Sequence, residues 1–164
     1  MMQLTRPGLN TTSAALIKID GLNMLLPQGE IRTLESIAEL DTAAPALHSA
    51  GWVVYAQKRW PVYCLSEELS LMSLVPAERR ACAIMAMGAG YIGILCDDMT
   101  ILNDFIAQRH EVPVAMRLAD TPILHLVAYA QGIACVSNAN KLTTYINQLV
   151  LESSIPGKAP DVRQ

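Results

Sequence analysis

Residues 81–96 read ACAIMAMGAGYIGILC. Two apolar runs, Ala81 to Met87 and Tyr91 to Cys96, flank Gly88-Ala89-Gly90. Short apolar runs on either side of a glycine turn read as a β-hairpin. Thr100 to Ile106 extends the pattern downstream.

The same pattern of apolar run, turn and apolar run recurs on both sides of this stretch. Upstream, Trp52-Val53-Val54-Tyr55 and Trp60-Pro61-Val62-Tyr63 are β-rich ends within Gly51 to Leu65, with Gln57-Lys58-Arg59 as the polar turn. Nearer the start, Ala14 to Ile19 and Leu22 to Leu26 flank Asp20-Gly21, a strong hairpin signal because glycine accepts positive φ in a tight turn. Pro27 ends that second strand, since it cannot donate to a ladder. Ile31 and Leu34 continue as a helical turn or a short strand. Residues 36–49 are loop-like, broken by Pro45. Ser66 is placed to cap a short helix from Glu67 to Met72, with two carboxylates in its first turn.

Downstream, Ile123 to Tyr129 and Ile133 to Val136 flank Gln131-Gly132, a fourth hairpin. A helix from Lys141 to Leu151 follows, capped by Asn138 or Asn140. Its Leu142, Tyr145, Ile146 and Leu149 form one apolar stripe. Many short strands, clear turn signals and one closing helix point to β-barrels.

Composition narrows the function. The 164 residues are 52% hydrophobic and only 16% charged, which supports a large core and argues against disorder. Twelve basic and 15 acidic side chains leave a net charge of −3, and no basic run is present, so nucleic acid lacks its electrostatic footprint. No apolar run reaches the ~20 residues that span a bilayer, and the first twelve residues lack the apolar segment of a signal peptide, so a cytoplasmic location is expected.

Motifs of chemistry are missing. His48, His110 and His125 are not spaced as metal ligands; only Glu111 stands beside one of them. Asp97-Asp98 would point to opposite faces of a strand, and a strand-exit role is the simpler reading. Gly88-Ala89-Gly90 lacks the following helix and the Lys-Ser/Thr of a phosphate loop. Cys64, Cys82, Cys96 and Cys135 form no C-x-x-C pair and read as four free, buried thiols. No enzyme, cofactor or metal is expected.

An ordered set of blocks resembles the CheW-like coupling proteins of bacterial chemosensory systems. Pro27 and Ile31 match the first block. Gly51, Pro61-Val62 and Leu65 keep the register of a second, G-x-x-N-L-R-G-x-x-x-P-V-x-D-L. Tyr91-Ile92-Gly93-Ile94-Leu95-Cys96-Asp97 looks like the strand φ-G-φ-φ-V-D, with Met99 and Leu102 at its apolar positions. Ala130-Gln131-Gly132-Ile133 is similar to the last hairpin.

The resemblance implies two intertwined SH3-like β-barrel subdomains, with short helices and a C-terminal helix, over residues 13–151. Residues 1–12 and 152–164 are expected as flexible tails. It implies a non-catalytic scaffold coupling the cytoplasmic tip of a chemoreceptor to a CheA-type histidine kinase, with recruitment to receptor arrays or the cell pole. Carried over by position, the receptor groove would be lined by Ile31, Gly51, Ala56, Ala81, Met99 and Leu102. The strand around Gly93 would pack between the subdomains.

Several positions depart from the pattern. Ala56-Gln57 stands for Arg-Gly, Val54 for Asn, Cys64 for Asp, and Thr33 for an acid. Losing the Arg removes charge, fork geometry and stem packing together. A pilus-motility or other alternative pathway therefore fits better than the main chemotaxis adaptor. Two other readings stay open: an adaptor that has lost kinase coupling and positions another protein, and a small β-barrel ligand binder.

Overall fold

The computed structural model describes residues 11–106, 108–110, 121–129 and 132–154. Eleven strands and one helix make up its regular structure among these residues, with two short 3-10 turns. The strands are β1 Thr11–Ile19, β2 Leu22–Pro27, β3 Ile31–Ser36, β4 Gly51–Tyr55, β5 Lys58–Tyr63, β6 Ala81–Met87, β7 Gly90–Cys96, β8 Asp98–Ile106, β9 Gln108–His110, β10 His125–Tyr129 and β11 Gly132–Val136; α1 is Ala139–Ser154.

They form two sheets. One has the order β8-β1-β2-β11-β10-β9, the other β3-β6-β7-β5-β4. The chain is thus interleaved: its first and last hairpins share a sheet, and its middle builds the second. It crosses from the first sheet to the second through the 3-10 turn Gln28–Glu30 and returns at Asp97. Each sheet joins two antiparallel units through a short parallel pairing: Met24 and Leu25 with Cys135 and Val136, and Val62 and Tyr63 with Gly93 and Ile94.

The continuous apolar runs are explained by strands buried on both faces. Side chains alternate across a strand. Ile92, Ile94 and Cys96 of β7 enter a core shared with Ile17, Ile19, Met24 and Leu26 of the other sheet, and with Leu142 and Ile146 of α1. Leu95 faces the other way, into a separate core with Val53, Val62, Cys64, Cys82 and Ile84. Ala14, Leu16, Leu25, Val127 and Ala134 form a third core within the first sheet. Strand β7 therefore lies between two cores, and Gly93 is its tightest point. A Cβ there would stand 2.6 Å from the Cys82 Sγ and 2.9 Å from the Val62 Cγ2.

The four expected hairpins are present, with altered boundaries. The β4–β5 turn is Ala56-Gln57 rather than residues 57–59; Lys58 and Arg59 already pair with Tyr55 and Val54. Both turn residues take positive φ, 52° and 67°, the requirement of a two-residue turn matched to strand twist. Ile31–Ser36 is a strand, paired to β6, not a helical turn.

The helix expected over residues 67–72 does not form. Leu65 bridges Leu71, and the Ser66 Oγ accepts from the backbone N–H groups of Glu68 and Ser70 at 3.2 and 3.1 Å, so its hydroxyl closes a turn instead of capping a helix. Helix α1 starts earlier and ends later than its apolar stripe, and β1 begins at Thr11. Strand β9 had no sequence signal. Ala130 and Gln131 of the last turn, and Glu111 beside His110, lie outside the described residues.

Candidate functional site

The six groove positions occupy different parts of the two sheets. Ile31, Ala81 and Met99 are half-buried against the shared core. Ile31 pairs with Met85 and Ala81 with Ser36, so they stand at opposite ends of the β3–β6 pair; Met99 pairs with Ile17 across the β1–β8 ladder. Leu102 pairs with Ala14 and packs against the core of the first sheet. Gly51 is buried at the start of β4, where a Cβ would meet the Asp41 carbonyl oxygen at 2.5 Å. Ala56 is exposed at the other end of β4. The structure brings three of the six onto one core and spreads the rest.

Around Ala56 the exposed surface mixes apolar Val54 with polar Gln57, Lys58 and Arg59, above half-buried aromatics. Val54 is 66% exposed. Opposite it on β5, Arg59 lies over the Trp52 ring at 4.8 Å and pairs with Asp41 at 3.4 Å, so its charge is engaged locally. Both partners of that ion pair are more than half exposed, where such pairs contribute little. The Trp60 indole N–H donates to the Tyr55 carbonyl at 2.8 Å, tying the strand ends together beneath the turn. Tyr91 packs edge-on against both Tyr55 and Trp60. Gly90 leaves room for the Trp60 ring, which a Cβ would approach to 2.7 Å. A second exposed apolar feature is the loop at Leu74, 81% exposed, and Val75.

The charged centre of the molecule is elsewhere. Arg79 is 1% exposed. Its Nη1 donates to the Asp20 Oδ1 at 3.1 Å and to the Asp97 Oδ1 at 2.7 Å; its Nη2 donates to the Asp20 Oδ2 at 3.1 Å and to the Leu65 carbonyl at 2.7 Å. Asp97 uses its other oxygen to accept the Asp20 backbone N–H at 2.8 Å. Burial by itself disfavours the Arg79 cation, and the hydrogen bonds to Asp20 and Asp97 outweigh it, moving its pKa up. The Arg79 hydrogen bond in turn holds the Asp20 carboxyl below its ordinary value. Asp97 is thus a strand exit with a built role. Arg79 carries no sequence signal, standing in a loop without periodicity.

All four cysteines are free thiols and buried. Burial pushes Cys82 and Cys96 up to about 12 and Cys135 to about 11. Protonated, enclosed thiols are poor nucleophiles. Among the described residues, no group of three His, Cys, Asp or Glu is placed to hold a metal, and no helix is long and apolar enough to cross a membrane.

Two interleaved sheets around a shared core, closed by a C-terminal helix, give this chain a fold similar to that of a CheW scaffold. The chain is similar to the scaffolding protein TtCheW from Thermoanaerobacter tengcongensis, with a TM-score of 0.63 over 81% of this chain and 92% of that one. Identity between the two is 9%. No family model matches the sequence, and no curated protein matches it.

Proposed function

We propose that the chain is a non-catalytic adaptor of a chemosensory system, coupling a chemoreceptor tip to a CheA-type histidine kinase from the cytoplasmic side. The observation that carries this reading is the fold, which is similar to that of a scaffolding protein over 81% of this chain and 92% of that one.

The polar contact of the resemblance is replaced here by Val54, Ala56 and Gln57. These three uncharged side chains would contribute by burial rather than by charge, with the exposed Lys58 and Arg59 beside them. That favours an alternative pathway, such as pilus motility. It also keeps a second reading, an adaptor that has lost kinase coupling and positions another protein.

The test is binding of a chemoreceptor cytoplasmic fragment by surface plasmon resonance. Met99→Asp should weaken binding roughly 5- to 160-fold, since removing an apolar anchor typically costs ~1–3 kcal/mol. Ala56→Arg with Gln57→Gly should strengthen binding to a typical chemoreceptor. Unchanged binding in both variants, with native circular dichroism, would favour the second reading.

A further inference from the structure

We propose that Arg79 is a positioning residue that sets the angle between the two sheets. The chain passes between the sheets at two places, and Arg79 sits at the second. It touches Asp20 in the β1–β2 turn of the first sheet, Asp97 at the return crossing, and the carbonyl of Leu65 just beyond β5 of the second sheet. Four of its N–H groups are used by three separate segments, and its side chain has no solvent exposure. Backbone bonds brace the same point: the Asp97 N–H donates to the Lys18 carbonyl at 2.8 Å, and the Arg80 N–H to the Cys96 carbonyl at 3.1 Å.

The physical argument turns on direction. The shared core is apolar, and apolar burial is non-directional; it holds the sheets together without fixing how they are turned. A planar guanidinium has a rigid fork whose two Nη groups two carboxylates and a carbonyl can engage only in one arrangement, while the buried Nε–H has no protein partner. A well-packed apolar residue would stabilise such a spot as well or better. What the ion cluster adds is geometry. On the adaptor reading above, any groove between the subdomains takes its shape from that angle, so Arg79 would act on partner binding without touching the partner.

The sheet angle can be measured directly. Val54 on the second sheet and Ile133 on the first are exposed, 66% and 65%, and the four native thiols are buried. Spin labels on Val54→Cys and Ile133→Cys then report the inter-sheet distance by double electron–electron resonance. The parent should give one narrow distribution and Arg79→Met a broadened or shifted one. Asp20→Asn/Arg79→Met/Asp97→Asn removes the carboxylates that the single variant leaves unpaired. It should fold by circular dichroism and still give the altered distribution. An unaltered distribution in that folded triple variant overturns the proposal, and so does a lower melting temperature of Arg79→Met with the parent distribution, which would mean a merely structural role. Binding of the receptor fragment separates the two ideas. An altered distribution with unchanged affinity keeps the positioning role and counts against docking between the sheets.

Discussion

At Gly93, two side chains already fill the space that a Cβ would need. The Val62 side chain comes from the parallel neighbour β5 and the Cys82 sulfur from the antiparallel neighbour β6, so neither can withdraw without moving a strand. Gly93→Ala is therefore expected to lower unfolding free energy by ~1–3 kcal/mol through overpacking. Gly29 is the control, with nothing within 4 Å of its Cβ position; Gly29→Ala should stay within ~0.5 kcal/mol of the parent or exceed it. Urea denaturation of both variants decides the point, and equal midpoints would refute the close-approach account. Gln57 is the opposite case. It holds φ at 67° without being glycine, and left-handed backbone costs an ordinary residue roughly 1–2 kcal/mol. Gln57→Gly should raise the urea midpoint, gaining about 0.5–1 kcal/mol after its larger chain entropy is counted. A lowered midpoint would mean that the Gln57 side chain makes a compensating contact.

Among the elements, α1 shows best how local and distant signals combine. Its stripe works as the spacing implies: Leu142 and Ile146 are fully buried, Tyr145 and Leu149 half-buried. Its first turn is closed twice. The Asn138 Oδ1 accepts from the Lys141 N–H at 2.8 Å, and the Glu30 Oε1 accepts from the Ala139 N–H at 2.7 Å. The Tyr145 hydroxyl also donates to the Leu69 carbonyl at 2.7 Å. Asn138→Ala should cost ~1 kcal/mol. Glu30→Ala should cost ~1–2 kcal/mol, because a charged acceptor at the positive end of the helix dipole is lost. Glu30→Gln should fall between, and matching losses for Gln and Ala would show that charge is not the cause. The cap one residue before the helix was legible in sequence; the one 109 residues away was not, since no local pattern announces it. The hairpins were legible because their signal is a run and a turn. Ser66 misled because a hydroxyl before two acids suits a turn as well as a cap, and the Leu65–Leu71 bridge decides between them. Arg79 was invisible for the same reason as Glu30: its partners lie 59 and 18 residues away. The candidate groove was read by position alone, and position does not say which face of which core a residue will take.

For the whole molecule, the shared core and the separate core of the second sheet put titratable sulfur where water cannot reach it, and that shapes stability against pH. Cys82 and Cys96 are pushed up to about 12 and Cys135 to about 11, whereas a thiol in an unfolded chain titrates near ~8.5. Above ~8.5 the unfolded chain releases these protons and the native chain keeps them. The stabilisation is complete below that pH and is lost as pH rises toward 11–12, with an upper limit of ~1.4 kcal/mol per thiol for each pH unit. The acid side runs the other way. Asp20 has a lowered native pKa, so its contribution is present above the ordinary carboxyl value near ~3.9 and is lost as pH falls through the native one. Stability should therefore peak between these limits. At pH ~7 it should not respond to reductant, because no disulfide is present among the four thiols. The decisive measurement is the slope of unfolding free energy between pH ~8.5 and ~10.5 in reductant. Cys82→Ala and Cys135→Ala should each lower stability at neutral pH, since each removes a packed sulfur, yet each should flatten the alkaline slope. Two variants that are less stable at pH ~7 but converge on the parent as pH rises would locate the proton release in these sulfurs. Parallel curves would assign the alkaline loss to other groups, such as the buried Tyr63 hydroxyl, which burial also pushes up.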